Sequence, residues 1–366
     1  MKWLSITWYK VLPPHFGGQK CIAQFNQALG QQVPGACLCS ADNETQETLS
    51  YRLMPLLPVG KKHFLLPRAG KIIQDTAKKE KPTHLILEHP YYGKSAVKAC
   101  KSTGAKLVLH AHNIEADRFR EAGKTGWKWI RRIEKKTMQK ADLVIFLTQE
   151  DIQRAASLYH IDPSKCMLAP YGIQSRKPIP DAAKLIREKH GISQKEKIFL
   201  FAGTLDYEPN AEAVENIYSQ LATALAIGGI PAKIIICGRN RSKRFGHLQK
   251  LNHPHIIHAG EVEDIGLYYS AADIFINPVE KGSGTQTKNL EALSWHCDVV
   301  SFRFGIRGID PEQTGGKLQW AENGDWASFT LLLLMGGSKK PTPENFFLPF
   351  DQNLIAQSVV NRLNTL

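Results

Sequence analysis

Short apolar segments alternate with helical patterns along the whole chain, and this alternation constrains the fold more than any other feature. In the first half, the pattern predicts strands at Trp3–Trp8, His84–Glu88, Lys106–His110 and Leu143–Leu147. In the second half, it predicts strands at Ile198–Ala202, Lys233–Cys237, Ile256–His258, Ile274–Asn277 and Val299–Phe302. Nearly continuous apolar strands are typical of parallel sheets that helices cover on both faces. The predicted fold class is therefore α/β, with two Rossmann-like, doubly wound parallel-sheet domains that face a cleft.

A break in the alternation separates the two predicted domains. The segment at 169–180 contains three prolines and one glycine, a composition that is typical of a linker. It predicts an N-terminal domain over 1–172 and a C-terminal domain over 173–350. One continuous helix is predicted over 115–140, and a last helix over 351–364.

The net charge of +13 is concentrated in the first half of the chain. Residues 1–175 carry a net charge of +12, and residues 176–366 carry +1. A basic domain attracts anionic partners such as nucleic acid, lipid headgroups or an anionic substrate. We expect no nucleic acid partner, because the Lys and Arg residues are dispersed and the sequence has no RNP or helix-turn-helix signal.

Seven scattered cysteines and short apolar runs predict a cytoplasmic protein. Only Cys37 and Cys39 lie close together, and no histidine pair follows them at zinc-binding spacing. We therefore expect reduced thiols and no metal site. The longest apolar run, Phe329–Met335, is shorter than the ~20 residues of a membrane-spanning helix. The N-terminal segment is expected to be a first strand and not a signal peptide, because Lys10 and Pro13 interrupt it.

A glycine-rich loop and the helix after it form the strongest candidate for a binding site. Gly282 and Gly284 follow a predicted strand, and a helix is predicted to begin near Thr285. Glycines let a ligand approach the backbone, and a helix start offers free N–H groups to an anion. Lys288 adds a positive charge, and Glu291 lies on the same helix face, where it can accept hydrogen bonds from a ribose diol. The combination indicates a nucleotide-sugar pocket; the alternative is a surface Lys–Glu pair on an ordinary crossover.

Two further predicted strands end in glycine. Gly203 follows the first strand of the second half, and Gly238 with Arg239 follows the next strand. Because the carboxyl ends of parallel strands lie at one edge of a sheet, we expect these residues to lie near Lys288 and to bind the donor. The alternatives are a surface position for Arg239 and, for Asn210 in the same loop as Gly203, a helix-capping role.

The first half offers two further candidates. Gly17 and Gly18 precede a predicted helix, where they either let a donor phosphate or a substrate approach or form only a tight turn. His110 and His112 follow a predicted strand, and one of them is expected to hydrogen-bond a sugar hydroxyl. The sequence leaves open which of the two histidines faces the cleft, and a purely structural role is the alternative.

Several blocks of the chain, in a consistent order, resemble the retaining glycosyltransferases of family 4, which have the GT-B fold. The blocks are GG at 17–18, HNIE at 112–115, the strand after AD at 141–147, PYG at 170–172, FAGTLDYEPN at 201–210, GEVEDIGLYYSAADIFINP at 260–278 and GSGTQTKNLEA at 282–292. The resemblance implies that the C-terminal domain binds a nucleoside diphosphate sugar and that the N-terminal domain presents the acceptor. It also implies that the C-terminal helix, about 351–366, packs back on the N-terminal domain.

The same resemblance implies roles for single residues. Glu291 is implied to bind the ribose of the donor. The backbone of Gly284 and Thr285, together with Lys288, is implied to face the phosphates. His112 is implied to contact the donor sugar. The expected catalytic residues are therefore His112, Lys288 and Glu291.

The expected reaction transfers the sugar to a glycan, a lipid-linked sugar or a similar acceptor with retention at the anomeric carbon. Helix N–H groups, Lys288 and Arg239 are expected to stabilise the charge on the leaving phosphate. The sequence has no Asp-x-Asp pair, so we expect neither a metal nor another cofactor. The family often has an acid where this chain has Ser283. This departure keeps two alternatives open: an inactive scaffold of the GT-B fold, and a sugar-nucleotide epimerase or hydrolase.

The segment at 124–140 combines seven Lys and Arg residues with Trp127, Trp129 and Ile130. One hypothesis is a helix that lies on anionic lipid at the inner face of a membrane, near a lipid-linked acceptor. The alternative is an ordinary helix with its aromatic side chains in the core and a solvated basic face.

Overall fold

Two parallel sheets organise the chain, one in each of two compact units. Unit 1 comprises Met1–Gly172 and Pro349–Leu366, and unit 2 comprises Ile173–Leu348. The computed structural model describes residues 1–45, 48–60, 66–282, 284–337 and 340–366.

Each sheet is entirely parallel in its described pairings and has a central first strand. Unit 1 contains β1 (Trp3–Ile6), β2 (Gly35–Ser40), β3 (Arg52–Leu57), β4 (His84–Glu88), β5 (Lys106–Ala111), β6 (Leu143–Phe146) and β7 (Cys166–Leu168), in the order β3-β2-β1-β4-β5-β6-β7. Unit 2 contains β8 (Lys197–Ala202), β9 (Ala232–Cys237), β10 (Ile256–Gly260), β11 (Ile274–Asn277), β12 (Asp298–Phe302) and β13 (Leu318–Ala321), in the order β10-β9-β8-β11-β12-β13. The predicted α/β class with two doubly wound parallel sheets is confirmed.

Helices connect the strands in both units. The helices that precede unit 2 are α1 (Gly17–Gln32), α2 (Pro67–Glu80), α3 (Gly93–Thr103), α4 (Glu115–Glu121), α5 (Trp127–Lys140) and α6 (Gln149–Tyr159). Unit 2 contains α7 (Ala182–His190), α8 (Glu208–Asn216), α9 (Thr223–Ile227), α10 (Ile265–Ala271), α11 (Thr287–Ser294), α12 (Trp326–Met335) and α13 (Glu344–Phe347). The chain ends with α14 (Gln352–Leu363), which belongs to unit 1.

Helix α14 packs on unit 1 through an apolar face. Ile355, Val359 and Leu363 lie in a core cluster with Leu29 of α1. The ring Nε2 of His84 lies 3.1 Å from the carbonyl oxygen of Leu363, within hydrogen-bonding distance. Burial of large aliphatic side chains contributes about 1.5–3 kcal/mol each, so this face fixes the last helix on the sheet.

The order of the strands in unit 2 determines where a ligand can bind. Strand β8 lies between β9 and β11. Strands β9 and β10 are added on one side of β8, and β11, β12 and β13 are added on the other side. In open parallel sheets, ligands bind at the carboxyl ends of the strands next to such a switch point. The loops that follow β8, β9 and β11 therefore lie at the expected place for a site.

Two parts of the predicted secondary structure were wrong. The single helix predicted over 115–140 is divided into α4 and α5, because Gly123 adopts the left-handed conformation (φ 63°) between them. Strands β2, β3, β7 and β13 were not predicted. β7 and β13 have only 3 and 4 residues, and β2 and β3 contain Gly, Cys, Ser, Arg, Met or Pro residues that interrupt the aliphatic pattern.

Among the residues that the structure describes, no helix combines the length and the apolar character that crossing a membrane requires.

Candidate functional site

Backbone hydrogen bonds join the loops that follow β8, β9 and β10. The N–H of Gly203 donates to the carbonyl of Cys237 (3.0 Å), and the N–H of Leu205 donates to the carbonyl of Arg239 (2.8 Å). The N–H of Gly238 donates to the carbonyl of Gly260 (2.7 Å). These bonds extend the sheet past its strand ends, so the three loops form one continuous edge.

Gly203 and Gly238 allow these loops to pass close to one another. A Cβ atom at position 238 would lie 1.9 Å from the carbonyl oxygen of Gly203. A Cβ atom at position 203 would lie 2.9 Å from the side-chain nitrogen of Asn210. At both positions a larger residue would collide with a neighbouring group. Both glycines lie at the edge of the sheet where a ligand is expected to bind.

Arg239 is held by Asp206, a residue that the sequence analysis did not select. The Nε atom of Arg239 donates to Asp206 (3.3 Å). The other carboxylate oxygen of Asp206 accepts the backbone N–H groups of Arg241 and Ser242, each at 2.7 Å. An Asp in the loop GTLDYEPN was the available signal, since Asp side chains organise loops through such backbone bonds.

A cavity of about 420 Å³ opens beside this edge. Its lining residues come from the loops after β8, β9 and β10 and from the segment before β10: Leu205, Gly238, Arg239, Asn240, Arg241, Leu248, Gln249, His258, Ala259, Gly260 and Glu261. Its volume lies within the range of about 300–1,000 Å³ that is usual for ligand pockets. The polar backbone and the two arginines suit a polar or anionic ligand.

The glycine-rich loop after β11 approaches the same region from the other side of β8. Gly282 (φ 130°) and Gly284 (φ 75°) adopt conformations that favour glycine. Ser283 lies outside the described residues. Helix α11 begins at Thr287, not near Thr285 as predicted, because Gln286 has non-helical backbone angles and precedes the first turn. Thr285 belongs to the loop, and its buried Oγ1 finds no hydrogen-bond partner among the residues that the structure describes.

Lys288 lies in the first turn of α11 and points toward β8. Its Nζ donates to the side-chain oxygen of Asn210 (2.7 Å) and lies 5.0 Å from the centre of the Phe201 ring. Burial lowers the pKa of Lys288 to about 7. A lysine in this state gains strongly from a nearby anion, because an anion compensates for the lost hydration of its charge.

Asn210 connects Lys288 to the loop after β8. Its side-chain nitrogen donates to the carbonyl of Thr204 (2.9 Å), while its oxygen accepts from Lys288. Its assignment as a helix N-cap was wrong, because Tyr207 occupies the cap position and α8 begins at Glu208. The correct signal was a polar side chain in the first turn, on the side that faces the glycine-rich loop.

Glu291 follows Lys288 by three residues on α11 and is partly exposed. Its backbone carbonyl accepts the hydroxyl of Ser294 (2.6 Å). The structure therefore places Lys288, Glu291, Gly203, Gly238 and Arg239 on neighbouring elements of unit 2. Their roles toward a donor stay predictions.

In unit 1, His110 and His112 lie in a buried cluster at the carboxyl end of β5. They are 1% and 5% exposed. Glu88, at the end of β4, places its Oε2 atom 3.0 Å from Nδ1 of His110 and 2.8 Å from Nε2 of His112. The ring of His89 stacks on that of His112, with centres 4.4 Å apart. Burial opposes ionisation of Glu88, but the two histidines lower its pKa well below the usual range.

Glu134 of α5 organises the chain after His112. Its carboxylate accepts the backbone N–H groups of Glu115 (2.7 Å) and Ala116 (3.1 Å), at the start of α4, and also the hydroxyl of Tyr159. Burial raises the pKa of Glu134 to about 8. Glu134, which the sequence analysis did not select, thus fixes the end of the HNIE block at 112–115.

Gly17 and Gly18 form the first turn of α1. The side chain of Gln19 accepts the N–H of His15 (2.7 Å), so the turn before the helix is fixed by the chain itself. A Cβ atom at position 18 would meet only ordinary contacts, the nearest being the Tyr9 hydroxyl at 3.4 Å. Approach of a donor to these glycines stays a prediction.

Solved structures share this architecture over the whole chain. Sucrose-phosphate synthase from Thermosynechococcus elongatus matches with a TM-score of 0.71 and 16% identity, covering 100% of this chain and 95% of that chain. Anabaena Alr3699/HepE, solved in complex with UDP-glucose, matches with a TM-score of 0.73 and 12% identity, covering 99% and 100%. WaaG, a glycosyltransferase involved in lipopolysaccharide biosynthesis, matches with a TM-score of 0.65 and 15% identity, covering 100% and 96%. At these identities the likeness shows the fold.

Two family models match the chain in succession. The model described as "Glycosyltransferase Family 4" matches residues 23–177, and the model described as "Glycosyl transferases group 1" matches residues 196–334. Together they cover most of the chain. The chain is a glycosyltransferase of the GT-B type. No curated protein matches this GT-B glycosyltransferase by sequence. The glycine-rich loop, α11 and the cavity-lining loops all lie within the second match, so the candidate site belongs to the glycosyltransferase domain of unit 2.

Proposed function

We propose that this GT-B glycosyltransferase transfers a sugar from a nucleoside diphosphate sugar to an acceptor hydroxyl, with retention at the anomeric carbon. The observation that carries the proposal is Lys288, a partly buried lysine in the first turn of α11. Its Nζ donates to Asn210 in the first turn of α8, and Asn210 donates in turn to the loop after β8. A diphosphate is the ligand that fits this arrangement, because it brings negative charge to a helix start and to Lys288, whose hydrogen-bond acceptor within the described residues is the neutral amide of Asn210.

Each part of the donor has a proposed position in unit 2. The base occupies the cavity of about 420 Å³ beside Gly238 and Arg239. The diphosphate lies against the loop at Gly284 and Thr285, where the unpartnered Thr285 Oγ1 donates to a phosphate oxygen. Glu291 accepts hydrogen bonds from the ribose diol. Anabaena Alr3699/HepE has the same fold and was solved with UDP-glucose, which makes UDP-glucose the first donor to test.

The chemistry proposed is electrostatic. The bond between the anomeric carbon and the diphosphate oxygen breaks, and negative charge develops on the diphosphate. Lys288 and the α11 N–H groups stabilise that charge. The acceptor oxygen forms its new bond on the face that the diphosphate leaves, and its proton passes to the leaving phosphate. His112 is given no proton transfer here, because Glu88 already binds its ring at Nε2.

The experiment is thermal unfolding of the purified chain with a panel of UDP, GDP, ADP, CMP, TDP and their sugar conjugates. A ligand at ~100 times its dissociation constant adds about 2.7 kcal/mol of stability. We expect one nucleoside diphosphate to raise the Tm clearly, and Glu291→Ala to lose that rise. Glu322→Ala is the matched control, because Glu322 forms an exposed ion pair with Arg303 (2.8 Å) away from the cavity lining.

Several outcomes distinguish the alternatives. A folded chain that responds to no nucleotide contradicts the proposal and supports the scaffold. A donor that is consumed without an acceptor supports a hydrolase or an epimerase. NMR of the purified product then tests retention, since an inverted anomeric configuration contradicts the mechanism. Equal responses of Glu291→Ala and wild type would place the ribose elsewhere.

We also propose that the acceptor is a glycan or lipid-linked sugar, reached while α5 contacts an anionic membrane surface. In α5, Ile130 and Met138 face the core, while Arg131 and Arg132 are exposed and Trp129 is 42% exposed. Exposed cations beside an exposed aromatic ring are the combination that binds anionic interfaces. The division of α5 into an apolar and a basic face is also compatible with an ordinary surface helix.

Vesicle co-sedimentation separates the two explanations for α5. We expect binding to vesicles that contain phosphatidylglycerol and little binding to pure phosphatidylcholine. The variant Arg131→Ser with Arg132→Ser should bind less, whereas Lys184→Ser with Lys195→Ser, at two exposed positions of unit 2, should bind as wild type does. Binding that ignores lipid charge would contradict membrane contact through α5.

A further inference from the structure

Three metal-binding side chains meet inside unit 1: Cys21 of α1, and His110 and His112 at the end of β5. One ligand atom from each residue lies within 4.8 Å of the other two. Zn²⁺ binds Cys sulfur at ~2.3 Å and His nitrogen at ~2.0–2.1 Å, which places ligand atoms about 3.5 Å apart around a tetrahedral ion. Small side-chain rotations would therefore bring the three ligand atoms to bonding distance from one ion. We propose that unit 1 binds one zinc ion through Cys21, His110 and His112.

The fold presents these three side chains to one point. His110 and His112 are two residues apart where β5 ends, so their side chains leave the chain on the same side. Cys21 lies in the second turn of α1, and the three residues are 5%, 1% and 5% exposed. Such burial excludes competing water and keeps the thiol away from exposed oxidants.

His110 supplies an independent observation. Its Nδ1 lies 3.0 Å from Oε2 of Glu88, whereas its Nε2 is buried and has no hydrogen-bond partner among the described residues. A buried polar group without a partner costs about 1–3 kcal/mol, so buried histidines normally have one. A metal bond to one nitrogen removes this cost. The ring of Phe25 packs on His110 with centres 4.4 Å apart, which holds the imidazole in place.

Glu88 lies beside both histidines, where its carboxylate can orient the two rings toward a metal ion. Its Oε2 atom is 2.8 Å from Nε2 of His112 and, outside hydrogen-bonding geometry, 3.0 Å from Nδ1 of His110. This leaves Nδ1 of His112 and Nε2 of His110 for the ion. The sulfur of Cys21 lies within 4.8 Å of the ligand atoms of both histidines. A carboxylate behind a metal-binding histidine fixes the ring and strengthens the ligand.

The ligand set selects zinc. One thiolate and two imidazoles favour a borderline-soft ion with tetrahedral geometry, and one water that enters with the ion would complete the fourth position. On binding, the Cys21 S–H bond breaks, the sulfur bonds to the ion and the proton leaves to solvent. The ion then links α1 to the end of β5. This site is separate from the proposed diphosphate site in unit 2, so the two proposals stand or fall independently.

The test is zinc binding by the full chain after treatment with EDTA. We expect one bound zinc per chain after gel filtration and a Tm that rises with zinc. Co²⁺ in its place should give visible d–d bands and a near-ultraviolet thiolate charge-transfer band. Cys21→Ala and His110→Ala should lose the bound metal, and Glu88→Gln should bind about 10- to 100-fold more weakly. Cys100→Ala is the control, because Cys100 is also a buried helix cysteine.

A folded wild type that retains no stoichiometric zinc would overturn the site. So would equal zinc loss in Cys100→Ala and Cys21→Ala, or a cobalt spectrum without the thiolate band. If the variants fail to fold, alkylation of the wild type decides the question. Zinc should slow iodoacetamide labelling of Cys21, measured by mass spectrometry, and leave labelling of Cys166 unchanged; labelling of Cys21 at one rate with and without zinc would contradict the proposal.

Discussion

The substitution Lys288→Met tests whether a buried lysine in unit 2 is kept for an anionic ligand. Methionine is unbranched and apolar, so it fills the space beside Phe201 without a charge. We expect the ligand-free variant to be more stable than wild type at neutral pH and to bind the donor much more weakly. The opposite signs of the two effects distinguish a binding lysine from a structural one.

The magnitude follows from the pKa of Lys288, which burial lowers from 10.5 to about 7. A change of this size corresponds to about 5 kcal/mol between the charged and neutral forms. The unfolded chain keeps the lysine protonated up to about pH 10.5, whereas the folded chain releases the proton near pH 7. The unfolded state therefore binds more protons between these values, and stability rises with pH across this window. From pH 7 to pH 9, Lys288 alone should add about 2 kcal/mol to the free energy of unfolding.

The assay is urea unfolding of wild type and Lys288→Met at several pH values from 6 to 10. The difference between the two proteins should shrink as pH rises, because wild type loses the cost of its buried charge. Lys281→Met is the matched control: Lys281 is 54% exposed and pairs with Glu212 at 2.8 Å. An exposed pair of this kind contributes about 0–1 kcal/mol. Calorimetry in two buffers should also show proton uptake by wild type when a nucleoside diphosphate binds near pH 8. Parallel pH profiles for wild type and Lys288→Met, with no proton uptake, would refute the reasoning.

Two further substitutions test the geometry of each unit. Gly238→Ala should destabilise unit 2 by about 1–3 kcal/mol and weaken nucleotide binding, because its Cβ would lie 1.9 Å from the Gly203 carbonyl oxygen. Gly246→Ala, which meets no atom within 4 Å, should change neither unfolding nor nucleotide titration. In unit 1, Glu134→Ala should cost about 3 kcal/mol in chemical unfolding, because two backbone N–H groups and the Tyr159 hydroxyl lose their acceptor. Glu134→Gln keeps an acceptor oxygen and should cost clearly less; equal losses for the two variants would contradict the hydrogen-bonding role.

The two parallel sheets were predictable from the sequence because their central strands are continuous apolar runs. Strands such as Leu143–Phe146 and Ile274–Asn277 are buried on both faces, and burial on both faces produces an uninterrupted apolar signal. Edge strands gave no such signal. Arg52–Leu57 pairs with one neighbour only, carries an Arg and a Pro, and is partly exposed, so its sequence resembles a loop.

The candidate site was predictable in its glycines and charged residues but not in its partners. Gly203 and Gly238 follow strands directly, and Lys288 lies in the first turn of the helix after β11. The rule that ligands bind at strand ends is enough to select these residues. Asn210 and Asp206 bind across a loop to residues from other elements, and no local pattern indicates which distant residue they meet. The same limit applies to Cys21 and His110, which are 89 positions apart in the chain and come close together only in the fold. A search for zinc ligands at short spacing therefore could not select this pair as candidates.

One bound diphosphate would compensate for several features of unit 2 that lower the stability of the ligand-free domain. Within the described residues, the partly buried Lys288 has only a neutral amide as its hydrogen-bond acceptor and the buried Thr285 Oγ1 has no partner. Gly282 and Gly284 adopt conformations that few other residues tolerate. An apolar residue at 288 would give a more stable ligand-free domain. A diphosphate placed against the start of α11 gives Lys288 a counter-charge and Thr285 an acceptor, and the glycines provide the space for it. A scaffold with no anionic ligand would carry these costs without compensation, so the arrangement favours a donor-binding enzyme over an inactive scaffold.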